Sequence, residues 1–234
     1  MDDTYIKSLS VREKSLQKKK EENVLDLKKR YLDVESHGGE LMRLSKEVIN
    51  EVVQNRISSA EIKIQTGESL IKNIHGDFVN LRKFIAQYLG ESMLQLKDLP
   101  QLKVDQLEDS FEKAKEEFLE GRILFEFISK GRLYEPTDEY LKDFDTYAGA
   151  LSDFCGELVR RARSEVVSFG IKTTESIKGY RKITEEIYQI LTEYAFSNSS
   201  GNRGKIEQLK NFLDSFDKFS YDVKINAAAL KERE

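Results

Sequence analysis

Residues 113–132 read KAKEEFLEGRILFEFISKGR, the stretch that best indicates how this chain folds. Its apolar side chains recur at intervals of three and four, which places them on one face of an α-helix. At about 100° per residue, Glu117 borders that apolar face and Glu120 lies about 60° away from Glu117. The stretch therefore predicts an amphipathic helix that carries two carboxylates, one turn apart, beside its buried side.

The same helical pattern recurs through most of the chain. Only 2 of the 234 residues are proline, so little interrupts helices, and the lack of tryptophan and of long β-branched runs argues against sheets. Seven helices are predicted, over about residues 4–35, 40–66, 68–90, 105–130, 138–168, 174–196 and 203–231. The sequence thus predicts an all-α, seven-helix bundle that forms a single domain over residues 1–234.

Breaks between these helices are predicted from glycine and proline. His37-Gly38-Gly39 is expected to end the first helix, because glycine readily adopts the left-handed conformation found after helix C-termini. The segment 96–104 around Pro100, the loop with Gly131 and Pro136, and the linker SNSSGNRG are expected to separate later helices. The first helix is expected to show a thin apolar seam, formed by Leu9, Leu16, Leu25, Leu27, Tyr31 and Leu32.

Composition and charge limit the classes of protein. The formal net charge is −4, which excludes attraction of nucleic acid by an overall positive field, so an anionic ligand would need a local basic patch. The single cysteine, Cys155, excludes an internal disulfide and a multi-cysteine zinc site, and it is expected to be buried rather than nucleophilic. The N-terminus lacks a signal-peptide core and no apolar run is long enough to span a membrane, so a cytoplasmic protein is predicted.

The common catalytic motifs are missing from the sequence. There is no GxxxxGK[ST], GxGxxG, GxSxG or HExxH, which removes support for phosphate-loop, dinucleotide-binding, hydrolase-elbow and zincin functions. A di-iron bundle would need Glu-x-x-His on two helices, but Val34 and Lys72 stand at the glutamate positions before the two histidines. The acidic residues remain as the candidates for chemistry.

A second acidic pair, Asp153 and Glu157 in LSDFCGELVRR, follows one helix after Glu117 and Glu120. If the two helices are neighbours, the four carboxylates converge, which requires Glu120 and Asp153 to lie within reach of each other. Two carboxylates about 4 Å apart repel by about 4 kcal/mol at an effective dielectric constant of about 20, so such a cluster would protonate, spread apart or bind Mg²⁺ or Mn²⁺. An ion of this kind could hold a phosphodiester oxygen and activate water, as in a nuclease. On spacing alone, however, ordinary solvated acids are the more frequent explanation in a chain with 42 acidic residues.

Two segments resemble sequences of the translin family. Residues 147–160, YAGALSDFCGELVR, are similar to the family pattern Y-L-x-G-x-x-D-x-x-G-E-L-x-R. Residues 117–120, EFLE, together with the aromatic residues that follow them, resemble the family's E-Y-V-E segment. One position departs from the pattern, because Ala150 stands where the family has glycine, and glycine is found at 149 instead. This departure is expected to alter local helix packing without removing a ligand.

The resemblance implies a translin-like helical bundle and a metal-dependent endoribonuclease of the translin-associated X type. It implies that Glu117, Glu120, Asp153 and Glu157 hold Mg²⁺ (or Mn²⁺) and that the substrate is single-stranded or structured RNA. It also implies a homo-oligomer of the octameric type with RNA inside. Two alternatives stay open: a non-catalytic subunit that binds single-stranded RNA or DNA, and a helical scaffold with no role in nucleic-acid binding.

Basic residues near these segments are the candidates for holding nucleic acid, because arginine and lysine bind phosphate. They are Arg43, Lys46, Arg160, Arg161 and Arg163. A solvated or ion-paired surface position is the alternative for each of them. Tyr147 could stack on a base, but it lies on the apolar face of its predicted helix and is expected in the core.

Overall fold

The structure of the protein is a computed structural model that describes residues 3–92, 104–137, 141, 143–169, 174–197 and 203–231. Within these ranges the chain forms α-helices and no strand. The helices are α1 Asp3–Val53, α2 Ile57–Ser92, α3 Val104–Lys130, α4 Phe144–Phe169, α5 Thr174–Ser197 and α6 Arg203–Lys231. None of the helices in these ranges combines the length and hydrophobicity that a membrane span requires. The prediction of an all-α protein is confirmed.

The predicted count of seven helices is not confirmed, because the first break falls elsewhere in the chain. His37-Gly38-Gly39 lies inside α1, which continues to Val53. Glycine within a helix costs about 1 kcal/mol relative to alanine, but it does not by itself end the helix. The break comes at Asn55, whose φ of 59° lies in the left-handed region that asparagine tolerates better than most residues. The predicted helices 4–35, 40–66 and 68–90 are therefore two helices, and the described residues hold six.

The later helices follow the predicted pattern more closely. Gly131, with a φ of 67°, ends α3, and its amide N–H donates to the carbonyl of Phe127 at 3.0 Å. Helix α4 begins at Phe144 rather than near residue 138, because the Asp143 carboxylate accepts a hydrogen bond from the backbone N–H of Thr146 at 2.9 Å and caps the helix. The connection around Pro100 and most of the linker SNSSGNRG lie outside the described residues.

Two compact units can be distinguished in the chain. The first comprises Met1–Leu41 and Glu68–Ala114, and the second comprises Met42–Gly67 and Lys115–Glu234. In the first unit, the rings of Phe78 in α2 and Phe111 in α3 pack with their centroids 5.4 Å apart. The division does not test the prediction of a single domain, which stays a prediction.

The buried face of α1 in the first unit differs from the predicted seam. Leu27, Val34 and Leu41 are buried, at a spacing of seven residues that corresponds to two helical turns. Leu25 and Leu32, which the sequence analysis placed on the same seam, are exposed. Leu27 therefore belongs to the buried face, whereas the neighbouring leucines point away from it.

In the second unit, glycines allow three helices to approach one another closely. A Cβ on Gly67 of α2 would lie 2.2 Å from Cε2 of Phe118, whose ring is fully buried in α3. A Cβ on Gly121 of α3 would lie 3.2 Å from Cγ1 of Val48 in α1. Helices α4, α5 and α6 also pack against one another. The two glycine contacts thus hold α3 closely against α2 and α1 within this unit.

Candidate functional site

A pocket of about 720 Å³ lies within the second unit, between α1, α3, α4 and α6. Four acids and two basic residues line it, together with apolar and amide side chains. The lining residues are Lys46, Ile49, Asn50, Val53, Glu117, Glu120, Asp153, Gly156, Glu157, Arg160, Gln208 and Phe212. We call it the acidic pocket.

All four acids that the sequence pattern singled out line the acidic pocket. Glu117 and Glu120 project from α3, and Asp153 and Glu157 project from α4. Glu120 and Glu157 are only 7% and 5% exposed, whereas Glu117 and Asp153 are half-buried. The two helices thus bring both acidic pairs into one pocket. The sequence analysis expected this convergence if the two helices are neighbours.

The pKa values of the two buried acids of the pocket, Glu120 and Glu157, are raised. The pKa of Glu120 is raised to about 8, first by burial and then by repulsion from Glu157, Asp153 and Glu117, while the Arg160 guanidinium opposes the rise. Burial also raises the pKa of Glu157, an effect that Arg160 opposes and that Glu117 and Asp153 reinforce. At neutral pH, Glu120 therefore carries a proton unless a cation replaces it.

Two basic side chains of the protein already engage acids of the pocket. Lys205, in the first turn of α6, places its Nζ 2.8 and 2.7 Å from the two carboxylate oxygens of Asp153 and 2.9 Å from Oε1 of Glu116. Burial alone would lower the pKa of Lys205, but these hydrogen bonds raise it, so the lysine stays charged. On α4, Nη2 of Arg160 lies 2.8 Å from Oε1 of Glu157.

The second oxygen of Glu157 is a polar atom buried without a hydrogen-bonding partner among the residues that the structure describes. Such an atom costs free energy unless a ligand or water satisfies it. Carboxylate oxygens are the donors that Mg²⁺ and Mn²⁺ prefer, so the chemistry and burial of the four acids fit a hard divalent ion. Within the described ranges, however, no three histidine, cysteine or acidic side chains already stand as a metal-ligand set. Lys205 and Arg160 hold Asp153 and Glu157 in other contacts.

Only two of the five basic residues predicted to bind nucleic acid lie in the acidic pocket. Lys46 and Arg160 line the acidic pocket, whereas the other three candidates are not part of its lining. Arg43 is paired with Glu47, which lies one turn further along α1. Arg161 donates to the Glu165 carboxylate and to the Tyr180 hydroxyl, and the Arg163 guanidinium lies 5.8 Å from the centre of the Phe219 ring.

Two further residues of the site were missed by the sequence analysis. Glu116 stands next to the candidate Glu117, and this adjacency could have marked it as a further acid of the site. No local sequence feature marks Lys205. Gly149 explains how Glu116 reaches the site, because a Cβ at residue 149 would lie 2.3 Å from Oε1 of Glu116. Glycine at 149, one position before the glycine of the family pattern, thus leaves room for Glu116, which binds Lys205.

Two other expectations concerned residues of α4 beside the pocket. Cys155 is fully buried, and burial raises the pKa of its thiol to about 12, in agreement with a packing role. Tyr147 is half-buried, and its hydroxyl donates to the backbone carbonyl of Tyr134 at 2.6 Å. That hydrogen bond ties α4 to the loop that follows α3.

The fold and the acidic pocket define an all-α protein with carboxylates from two helices in one cavity. Solved structures with the same fold are those of apo-NeC3PO and AfC3PO. Apo-NeC3PO is 18% identical in sequence, with a TM-score of 0.64 over 92% of this chain and 96% of that chain. A complex of AfC3PO with duplex RNA is 17% identical, with a TM-score of 0.61 over 92% of this chain and 97% of that chain. Another AfC3PO structure gives a TM-score of 0.57 at 17% identity, over 95% of this chain and 98% of that chain.

These are translin-like structures, so the translin-like fold expected from the sequence is confirmed. At such low sequence identity the likeness establishes the fold alone. No protein-family model matches the sequence, and no curated protein matches it significantly.

Proposed function

We propose that this chain is an RNA-binding protein of the translin family and a divalent-metal-dependent endoribonuclease of the translin-associated X type. The observation that carries the proposal is the position of Glu120, buried beside Glu117, Asp153 and Glu157 in one pocket. Four carboxylates in so small a space repel unless protons or cations compensate them. A cluster of carboxylates with two of its members buried is costly for a purely structural role, which favours a functional one.

Glu117, Glu120, Asp153 and Glu157 are the residues that would hold Mg²⁺ or Mn²⁺ in this proposal. The bound ion would supply Lewis-acid stabilisation of a phosphodiester and an activated water. The chain's own contribution is to exclude bulk water from Glu120 and Glu157 and to offer the orphaned Oε2 of Glu157. Lys46 and Arg160, which line the same pocket, would bind the phosphates of the RNA strand.

An RNA substrate is supported from two directions. One is the segment 147–160, whose similarity to the translin pattern includes both Asp153 and Glu157. The other is the fold shared with AfC3PO, of which a duplex RNA complex is known. We extend to this chain the binding of RNA, and of single-stranded DNA as a further ligand. Assembly into a homo-oligomer of the octameric type and location in the cytoplasm belong to the same proposal.

A non-catalytic RNA-binding subunit is the second candidate, and one observation favours it. Asp153 is held by Lys205 and Glu157 by Arg160, so the described residues do not present a ready set of metal ligands. In this alternative the acids and bases neutralise one another and stabilise the junction of three helices. RNA would then bind elsewhere or through Lys46 alone.

A labelled RNA oligonucleotide separates the two candidates. Wild-type protein is incubated with the RNA in Mg²⁺, in Mn²⁺ and in EDTA, beside Glu120→Gln and, as a matched control, Asp109→Asn, an exposed acid on the same helix. We expect cleavage with either metal, none in EDTA, at least about a hundredfold loss in the Glu120 variant and no loss in the control.

Each outcome of this experiment decides between the candidates. RNA binding without cleavage by the wild type would select the non-catalytic subunit. Cleavage that persists in the Glu120 variant would rule out the acidic pocket as the active site. Sedimentation of the same protein tests assembly, because a strict monomer of 27.1 kDa would contradict the proposed oligomer.

A further inference from the structure

Lys205 neutralises Asp153, one of the four acids that line the acidic pocket. Its Nζ contacts both carboxylate oxygens of Asp153, at 2.8 and 2.7 Å, and Oε1 of Glu116 at 2.9 Å. Glu116 is not among the residues that line the pocket, so the lysine joins a lining acid to an acid outside the lining. A fixed positive charge therefore lies directly against one of the four proposed metal ligands.

The placement of this lysine has a local cost in α6. Lys205 stands in the first turn of the helix, where exposed N–H groups carry a partial positive charge and favour acidic side chains. The contacts with Asp153 and Glu116 offset this cost. Gly149 strengthens this conclusion, because the carboxylate of Glu116 fills the space that a side chain at 149 would need.

We propose that Lys205 is an internal counter-ion that competes with the divalent cation for Asp153 and so weakens metal binding until it is displaced. This inference rests on the proposed function. A dication that approaches Asp153 meets a positive charge on both oxygens of the ligand, and like charges at this distance repel strongly in a partly buried site. The metal binds fully only when Nζ moves away from Asp153.

Displacement of Lys205 does not leave its charge uncompensated. Nζ can keep its hydrogen bond to Glu116, which is not a proposed ligand, or can bind a phosphate oxygen of the strand. RNA that carries phosphates into the pocket would therefore draw the lysine from Asp153 and strengthen metal binding. The site would be completed by its substrate, which would limit metal loading when RNA is absent.

Titration with Mn²⁺ alone, followed by isothermal calorimetry and by the electron paramagnetic resonance of free Mn²⁺, tests the competition without any activity assay. The proteins are the full-length wild type, Lys205→Met, Lys205→Arg, and Lys210→Met, which removes the same charge from an exposed position of α6. We expect Lys205→Met to bind Mn²⁺ at least about tenfold more tightly than the wild type. The arginine variant and the Lys210 variant should stay within about twofold, because the first keeps the charge and the second leaves Asp153 paired.

Several results would overturn the inference. One is a Mn²⁺ affinity of Lys205→Met that is equal to or weaker than that of the wild type. Another is a gain in Mn²⁺ affinity in Lys210→Met equal to that in Lys205→Met, which would show a general charge effect. If the wild type binds Mn²⁺, loses it in Glu120→Gln, and is unchanged by Lys205→Met, only this inference fails. If none of the proteins binds Mn²⁺, the metal site of the proposed function fails with it.

A measurement on the wild type alone covers the case in which Lys205→Met does not fold. Lysine acetylation by a water-soluble reagent, read by mass spectrometry, reports how accessible each Nζ is. Saturating Mn²⁺ should raise the labelling rate of Lys205 about threefold or more, because the displaced Nζ loses both contacts with Asp153, and should leave Lys210 unchanged. An unchanged or slower rate at Lys205 would contradict displacement.

Discussion

Nζ of Lys205 in α6 lies 2.7 Å from Oδ2 of Asp153 in α4. A basic side chain of the protein is thus paired with an acid that both the helical spacing and the family resemblance single out. Both side chains are about 29% exposed, which makes this a partly buried pair rather than a surface one. Loss of one partner from such a pair leaves a charge without compensation. Protein side chains therefore compensate part of the negative charge of the acidic pocket, at Asp153 and Glu157.

The dependence of stability on pH should report the burial of Glu120. Its pKa is about 8 in the folded protein, against an ordinary value of 4.5. Between these values the unfolded chain has lost the proton and the folded chain keeps it, so this residue lowers stability progressively as pH rises and contributes no loss below the ordinary value. Glu120→Gln removes the loss. We expect its free energy of unfolding to exceed that of the wild type by on the order of 3 kcal/mol near pH 8.5 and by little near pH 4.5.

Urea denaturation in EDTA at several pH values measures this difference. Asp109→Asn serves as the control, because it removes an exposed carboxylate from α3 outside the pocket. Its stability should run parallel to that of the wild type. A Glu120 variant whose profile also runs parallel to the wild type would show that folding does not raise the pKa of Glu120.

Binding of nucleic acid should depend on Lys46 more than on Arg43. Both side chains are exposed on α1, but only Lys46 lines the acidic pocket, and Arg43 is paired with Glu47. Lys46→Ala should weaken RNA binding about three- to tenfold and reduce the slope of log affinity against log salt by about one. Arg43→Ala should change the affinity by less than about twofold.

Fluorescence anisotropy with labelled RNA, in EDTA to prevent cleavage, gives both quantities. Equal losses in the two variants would mean that the pocket does not select the site of binding. A loss confined to Arg43→Ala would place the nucleic acid on another part of α1.

The close contact at Gly67 should make this position intolerant of alanine. The added Cβ would lie 2.2 Å from the Phe118 ring, which is 1% exposed and cannot move without disturbing the core. Gly67→Ala should therefore cost about 1–3 kcal/mol in the free energy of unfolding. Gly76, also in α2, has nothing within 4 Å of its added Cβ, so Gly76→Ala should stabilise the protein by about 0.5–1 kcal/mol. Chemical denaturation that ranks the two variants in the opposite order would contradict the packing of α2 against α3.

The continuity of α1 can be tested at Gly38. In an uninterrupted helix, Gly38→Ala should stabilise the protein by about 0.5–1 kcal/mol, because nothing lies within 4 Å of the added Cβ. Gly131→Ala should instead destabilise it by about 1 kcal/mol, since the φ of 67° is unfavourable for alanine. Thermal denaturation that shows a loss for Gly38→Ala similar to that for Gly131→Ala would restore the predicted helix end at residues 37–39.

The comparison of these two glycines explains why the helix count could not be read from the sequence. Both glycines follow stretches with a helical pattern and were predicted to end a helix, but of the two only Gly131 has a left-handed backbone conformation. Packing of Leu27, Val34 and Leu41 on one face of α1 stabilises the helix across Gly38, and this long-range packing is invisible in local sequence.

The sequence by itself determined the all-α class, the bounds of α3, α5 and α6 to within about a residue or two, and both acidic pairs, because helical periodicity and spacing are local properties. Only the tertiary structure decided that Glu120 and Glu157 are buried, which raises their pKa values. It also brought Lys205 to Asp153 across 52 residues of sequence and made room for Glu116 beside Gly149. Such contacts join distant helices, and their geometry depends on packing that no short segment encodes.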